Sequence, residues 1–241
     1  MRAGITAAVT RAWKKGIKSS GGVEYAPELM SWHQRKGCDG GVWELVLKDS
    51  CWNPKSEDKV SSKRIILNIM TEVAHHGYSL ESSYRASAKD SGKDTLIFSK
   101  GTPDPQAVFF SVCFYSSDRI WIIDASADVG QALEEGIKAT WVDGVRDARV
   151  RERHCRELRL RGNPWTSHSA QALISSRVIN VVIMKLVRMA GYDYVGSVQV
   201  ADNDESAIPM LIFRLNPDKE FNSHHIEPIS EAAAKSMTIG R

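Results

Sequence analysis

Ser61–Tyr78 reads SSKRIILNIMTEVAHHGY, and Ser175–Tyr192 reads SSRVINVVIMKLVRMAGY. Laid over one another, Ile65, Ile69, Met70 and Val73 fall on Ile179, Ile183, Met184 and Val187, and both stretches close on Gly-Tyr. Apolar residues three and four apart make one face of an amphipathic helix. Glycine just past the last apolar position is a left-handed C-cap, so Gly77 and Gly191 end the two helices. Ser61 or Ser62 is the expected N-cap of the first. The second is crowded with β-branched residues, which are poor intrinsic helix formers, so burial must stabilise it.

The match extends outward in the same order on both sides. Glu44-Leu45-Val46-Leu47 corresponds to Glu157-Leu158-Arg159-Leu160, Trp52 to Trp165, and Lys63 to Arg177. Downstream, Ser83 corresponds to Ser197 and Leu96-Ile97-Phe98 to Leu211-Ile212-Phe213. One-residue slips fall between elements, where loops tolerate insertion. The chain is therefore a duplication of a strand–helix–strand–strand unit. Polar runs between the last two strands, AKDSGKD and ADNDESAI, are expected as hairpin turns.

Four segments fall outside that match. MRAGITAAVTRAWKKGIKSSGG is basic and acid-free, with Ile5, Val9, Trp13 and Ile17 at four-residue spacing. It reads as an N-terminal arm or short docked helix, with a mitochondrial targeting segment as the alternative. AVFFSVCFYSSDRIWIIDAS is apolar at nearly every position, which predicts a hairpin buried on both faces. A helix capped by Ser126 follows, and hairpin and helix together read as an extension of the first unit. RDARVRERHCRELRLR interleaves arginines with Asp147, Glu152 and Glu157, the pattern of a solvated connector. The resulting order is a basic arm over residues 1–40, the first unit with its extension over 41–141, a connector over 142–156, the second unit over 157–216 and a tail over 217–241.

These units build an α+β fold. Neither buries enough surface alone, so their strands are expected to join in one antiparallel sheet, with the two matched helices on one face and a pseudo-twofold surface between the copies. This topology is similar to tandem strand–helix–strand–strand ligand-binding modules of small-molecule-binding regulators and haem-binding proteins, and to the saddle of TATA-binding proteins. A likeness at that level carries no function. RGNPW, SSR, a helix ending in Gly-Tyr, an Asp-rich turn and LIF together resemble a group of uncharacterised eukaryotic proteins, many of them fungal. The resemblance covers roughly residues 42–215 and implies a eukaryotic, intracellular protein, with no functional residue to carry over.

Composition narrows the chemistry. Of 241 residues, 42% are hydrophobic and 25% charged, an ordinary globular balance, and the net charge of +3 is too small to imply nucleic-acid or membrane binding by itself. No apolar run spans a bilayer. Cys38, Cys51, Cys113 and Cys155 are widely spaced, as reduced thiols of a cytoplasmic protein would be. His75-His76 and His224-His225 are adjacent pairs, which diverge on a helix, so neither a metal nor a cofactor is expected. His154-Cys155 lacks an oxyanion loop. The repeated Trp52, Trp165, Lys63 and Arg177 are the candidate ligand- or partner-binding residues. Each cation stands early in its helix, opposing the dipole, and needs either a carboxylate such as Glu44 or Glu157 or an anionic ligand. The leading expectation is a non-enzymatic module binding a protein partner or small ligand between the repeats. The alternatives are a nucleic-acid-binding module using the sheet face and arginine run, and an enzyme whose site assembles from distant loops.

Overall fold

The computed structural model describes residues 1–23, 42–85, 94–200 and 208–218. The polar hairpin loops and the tail beyond Asp218 lie outside the described residues. In chain order the elements are α1 (Arg2–Ala12), β1 (Ile17–Val23), β2 (Val42–Leu47), a 3-10 turn (Ser56–Asp58), α2 (Lys59–His75), β3 (Tyr78–Arg85) and β4 (Asp94–Lys100). Then come β5 (Phe109–Tyr115), β6 (Arg119–Ile123), α3 (Ala127–Thr140), β7 (Val145–Glu152), β8 (Cys155–Leu160), α4 (Ala170–Met189), β9 (Tyr192–Val198) and β10 (Met210–Leu215). The fold is α+β and duplicated, and every strand pair is antiparallel. Six strands form one sheet in the order β7-β8-β6-β5-β10-β9, while β1–β2 and β3–β4 are separate pairs.

The duplication begins earlier in each copy than the sequence match revealed. Trp13 and Trp141 both follow a helix, and their indole N–H groups donate to Lys48 O at 2.8 Å and Arg161 O at 3.0 Å. Gly16 and Gly144, three residues on, both have positive φ, at 85° and 79°, and both donate to the tryptophan carbonyl. Bulges recur at matched places in β1 and β7, and again in β3 and β9. So α1 is the counterpart of α3 and β1 of β7. The N-terminal segment contains the short docked helix that is one of its sequence readings, with Ala8, Val9, Ala12 and Trp13 buried. Two expectations are thereby corrected. The β5–β6 hairpin and α3 open the second copy rather than extending the first. The charged stretch over 142–156 contains β7, paired along β8; Arg149 and Arg151, two residues apart, share one face of that strand and both reach Glu157, rather than lying in a solvated connector.

The β5–β6 hairpin is central, as its composition predicts, and its two faces separate two cores. On one face Phe110, Val112, Phe114, Ile120 and Ile122 meet α3 and α4 through Leu133, Ile137, Ile179, Ile183 and Val187. On the other, Phe109, Cys113, Trp121 and Ile123 meet α2 through Val60, Ile66, Leu67, Met70 and Ala74. A third cluster joins α1, α2 and β2 around Val9, Trp13, Cys51 and Ile65. Each such side chain, fully buried, contributes about 1.5–3 kcal/mol before entropy. The matched helices α2 and α4 therefore lie on opposite faces of the six-stranded sheet, not side by side. The copies stack, the helix layer of the first against the sheet of the second, so no twofold axis relates them.

Both matched helices start before their serines. Ser169 caps α4, accepting from Ala172 N at 3.2 Å, and α2 continues directly from the 3-10 turn. Ser62 and Ser176 instead donate back to Lys59 O and Leu173 O, both at 2.9 Å. The expected cap of α3 is present, Ser126 Oγ accepting from Val129 N at 3.4 Å. Among the described residues, α4 is long and apolar enough to cross a membrane by length and composition, with mean hydropathy 1.5, and its inner face belongs to the core.

Candidate functional site

The left-handed glycines position the site. Gly77 and Gly191, at φ 82° and 81°, end α2 and α4 and turn the chain into β3 and β9. These matched turns deliver Tyr78-Ser79-Leu80 from the first copy and Asp193-Tyr194-Val195 from the second to the two sides of one cleft. Met70 and Phe109 form its apolar floor, Arg214, Asn216 and Pro217 its far end, and its volume is about 450 Å³.

The polar end is built around Arg214. Its Nη2 donates to Asp104 Oδ2 at 2.7 Å, and its guanidinium stands 5.8 Å from the centre of the Phe109 ring. That hydrogen bond, with a second from Gln106 N, overrides desolvation and holds the Asp104 carboxyl below its ordinary range. Arg214 Nε is buried without a hydrogen-bond partner. Leaving such a donor unsatisfied costs about 1–3 kcal/mol. Beside it, Asn216 Nδ2 donates to Asp193 Oδ2. The cleft thus joins aromatic and aliphatic walls to an arginine donor and a carboxylate, the composition of a small-molecule site.

The four residues singled out by the repeat do not share one surface. Trp165 and Arg177 come together, lining a smaller pocket of about 210 Å³ with Phe114, Pro164 and Leu173. Trp165 is anchored by donation to Arg119 O at 3.1 Å and by an edge contact with Phe114, ring centres 4.7 Å apart. Trp52 packs against both the cluster between the copies and the first-copy cluster of α1, α2 and β2. Lys63 is buried at 5% exposure, whereas Arg177 is exposed and donates to Leu173 O. Glu157 is not the partner of Arg177. It is fully buried and accepts from Trp121 Nε1 at 2.7 Å and Arg149 Nε at 2.8 Å, with Arg151 at 3.3 Å and Arg119 at 3.5 Å. Desolvation pushes its carboxyl up, but these donors outweigh it and hold it below the ordinary range.

Two more arginines of the run are paired with carboxylates. Arg156 bonds Glu134, and Arg159 lies 3.3 Å from Asp118. Nearby, Arg64 of α2 clasps Asp124 and Glu152. Cys155 points into the core, where burial pushes its thiol up to about 12. His76 lies 3.2 Å from Glu72 one turn back. Among the described residues there is no group of three or more metal-ligating side chains.

Sequence reasoning missed the cleft because its residues are not repeated as types. Ser79 matches Asp193, Leu80 matches Tyr194, and Arg214 matches Ser99. The available signal was positional: the Gly-Tyr pairs that end both helices.

Stacked, duplicated copies with a cleft at their junction define an internally repeated α+β protein. The chain belongs to an uncharacterised domain family, whose model matches it in two segments, residues 1–99 and 108–214. The second segment starts just before β5, in agreement with the structural boundary of the second copy. No curated protein and no solved structure matches the chain.

Proposed function

We propose that the protein is a non-enzymatic binding module that holds a small ligand in the cleft between its two copies. The observation that carries this reading is Arg214, whose buried Nε is unpartnered at the polar end of an otherwise aromatic and aliphatic cleft. The ligand class that fits is a flat aromatic body bearing a carboxamide, which accepts from Arg214 and donates to the Asp193 carboxylate. The nucleic-acid alternative is less well supported, because Arg119, Arg149, Arg151, Arg156 and Arg159 are all turned onto carboxylates. We place the protein in the cytoplasm rather than the mitochondrion. Cleaving the basic N-terminal segment would remove Val9 and Trp13 from a core.

The test is ligand-observed NMR with a panel of aromatic carboxamides, run on the wild-type chain and on Tyr194→Ala. Tyr194 is half-exposed on the cleft wall, so its loss leaves the core intact. Bound fragments should weaken by about tenfold in the variant, the value of one aromatic contact. Equal binding to both proteins, or no binding by any carboxamide, refutes the assignment.

A further inference from the structure

Five arginines of the second copy, Arg119, Arg149, Arg151, Arg156 and Arg159, are turned onto carboxylates. Arg177 is not. It is exposed, and among the described residues its guanidinium has one acceptor, Leu173 O on its own helix, at 3.3 Å. That helix, α4, has no acidic residue. A guanidinium has five N–H donors, so most of those on Arg177 remain for an incoming acceptor. The pocket it borders is apolar: Phe114, Pro164, Trp165, Leu173 and Ile208 line a volume of about 210 Å³. The Trp165 ring is held in place by its N–H bond to Arg119 O and its edge contact with Phe114. The other polar side chains of the rim are spent on backbone, Ser176 Oγ donating to Leu173 O and Asn180 Nδ2 to Ser176 O. Arginine is thus the donor at the mouth of an aromatic pocket.

From this we infer that the second copy carries a separate binding site for a small aromatic monocarboxylate, its ring against Trp165 and Leu173 and its carboxylate paired with Arg177. Size sets the ring: an apolar cavity of about 150 Å³ holds benzene, so this pocket takes one aromatic ring with a short substituent. Charge sets the substituent, because a carboxylate accepts two parallel N–H bonds from a guanidinium. The first copy does not offer the same pair. Its matched cation, Lys63, is buried, and its matched Trp52 packs against two clusters. The site is also distinct from the cleft between the copies. The two share no lining residue, and Phe109 and Phe114 line them from opposite faces of β5.

Fluorine-observed NMR on the full chain at neutral pH tests this with para-fluorobenzoate as the probe. Its resonance should broaden and shift on binding, with a dissociation constant on the order of 1 mM. Arg177→Gln should weaken binding by about tenfold or more, the value of a charge-assisted pair. Arg177→Lys should recover only part of that loss, because it keeps the charge without the planar fork. Leu173→Asp places a like charge at the mouth and should remove binding. Both positions are exposed, and an acid in the first turn of α4 suits the helix dipole, so these variants keep the fold. para-Fluorobenzyl alcohol keeps the ring without the charge and should bind at least about tenfold more weakly. Acetate and inorganic phosphate keep the charge without the ring and should displace the probe correspondingly poorly. Tyr194→Ala, which addresses the cleft, should leave the probe's binding unchanged, so the two sites can fail independently. The inference is overturned by no binding up to about 10 mM, by equal binding to Arg177→Gln, by equal binding of the neutral alcohol, or by phosphate displacing the probe as well as a benzoate does. Loss of binding in Tyr194→Ala overturns it too, since the carboxylate would then sit in the cleft.

Discussion

Replacing Glu157 by Gln tests the electrostatic centre of the second copy. The carboxylate is fully buried, and Arg119, Arg149, Arg151 and the Trp121 indole all converge on it. Glutamine keeps the volume but removes the charge, leaving guanidinium groups without a counter-ion. Breaking a buried ion pair from one side costs about 3–5 kcal/mol, a large share of the roughly 5–15 kcal/mol that stabilises a domain. With a urea slope of about 3 kcal/mol/M, the unfolding midpoint at pH 7 should fall by about 1–1.7 M. The pH dependence gives an independent sign. The folded-state pKa of Glu157 is lowered from 4.5, so its stabilisation is complete above the unfolded value and is lost as pH falls through the folded one. The gap between wild type and variant should therefore be constant from neutral pH down to about 5 and close below it. Urea titrations followed by tryptophan fluorescence at pH 7 and at successively lower pH measure both effects. A variant within about 0.5 kcal/mol of wild type at pH 7, or a gap that widens in acid, refutes the reasoning.

Two further pairs of substitutions address the duplication. Gly77→Ala and Gly16→Ala both force alanine to positive φ, but a Cβ at Gly77 would lie 2.5 Å from Gly101 O whereas one at Gly16 meets nothing within 4 Å. Gly16→Ala should cost about 1 kcal/mol and Gly77→Ala clearly more, read from thermal or urea unfolding; equal costs would show that the backbone around Gly101 yields freely. Trp13→Phe and Trp141→Phe each remove one indole hydrogen bond to a matched carbonyl. Each should cost about 1–3 kcal/mol, and because the two rings sit in different clusters the double variant should match the sum within about 0.5 kcal/mol; a large departure would show that the copies are energetically coupled there.

What the sequence made legible was the part of the repeat carried by side-chain type. Apolar spacing in the matched helices, the alternating Leu45 and Leu47 against Leu158 and Leu160, and the Gly-Tyr ends all follow from local periodicity, and the structure keeps them. The α1–α3 correspondence was hidden because helix faces conserve only spacing. Ile5 and Val9 stand where α3 has Leu133 and Ile137, and the Trp-x-x-Gly signature after them is too short to detect without its hydrogen bonds. The stacking of the copies was hidden for a different reason. It depends on which face of α2 is the more apolar. Ile65, Ile69 and Val73 define the inner face in both copies, but Val60, Leu67 and Ala74 give α2 a second apolar face. On α4 the same places are held by Ile174, Val181 and Arg188. A helix with one apolar face closes a domain, and a helix with two sits between layers. α2 is fully of the second kind. α4, with Ile174 and Val181 still on its outer side, stands between the two.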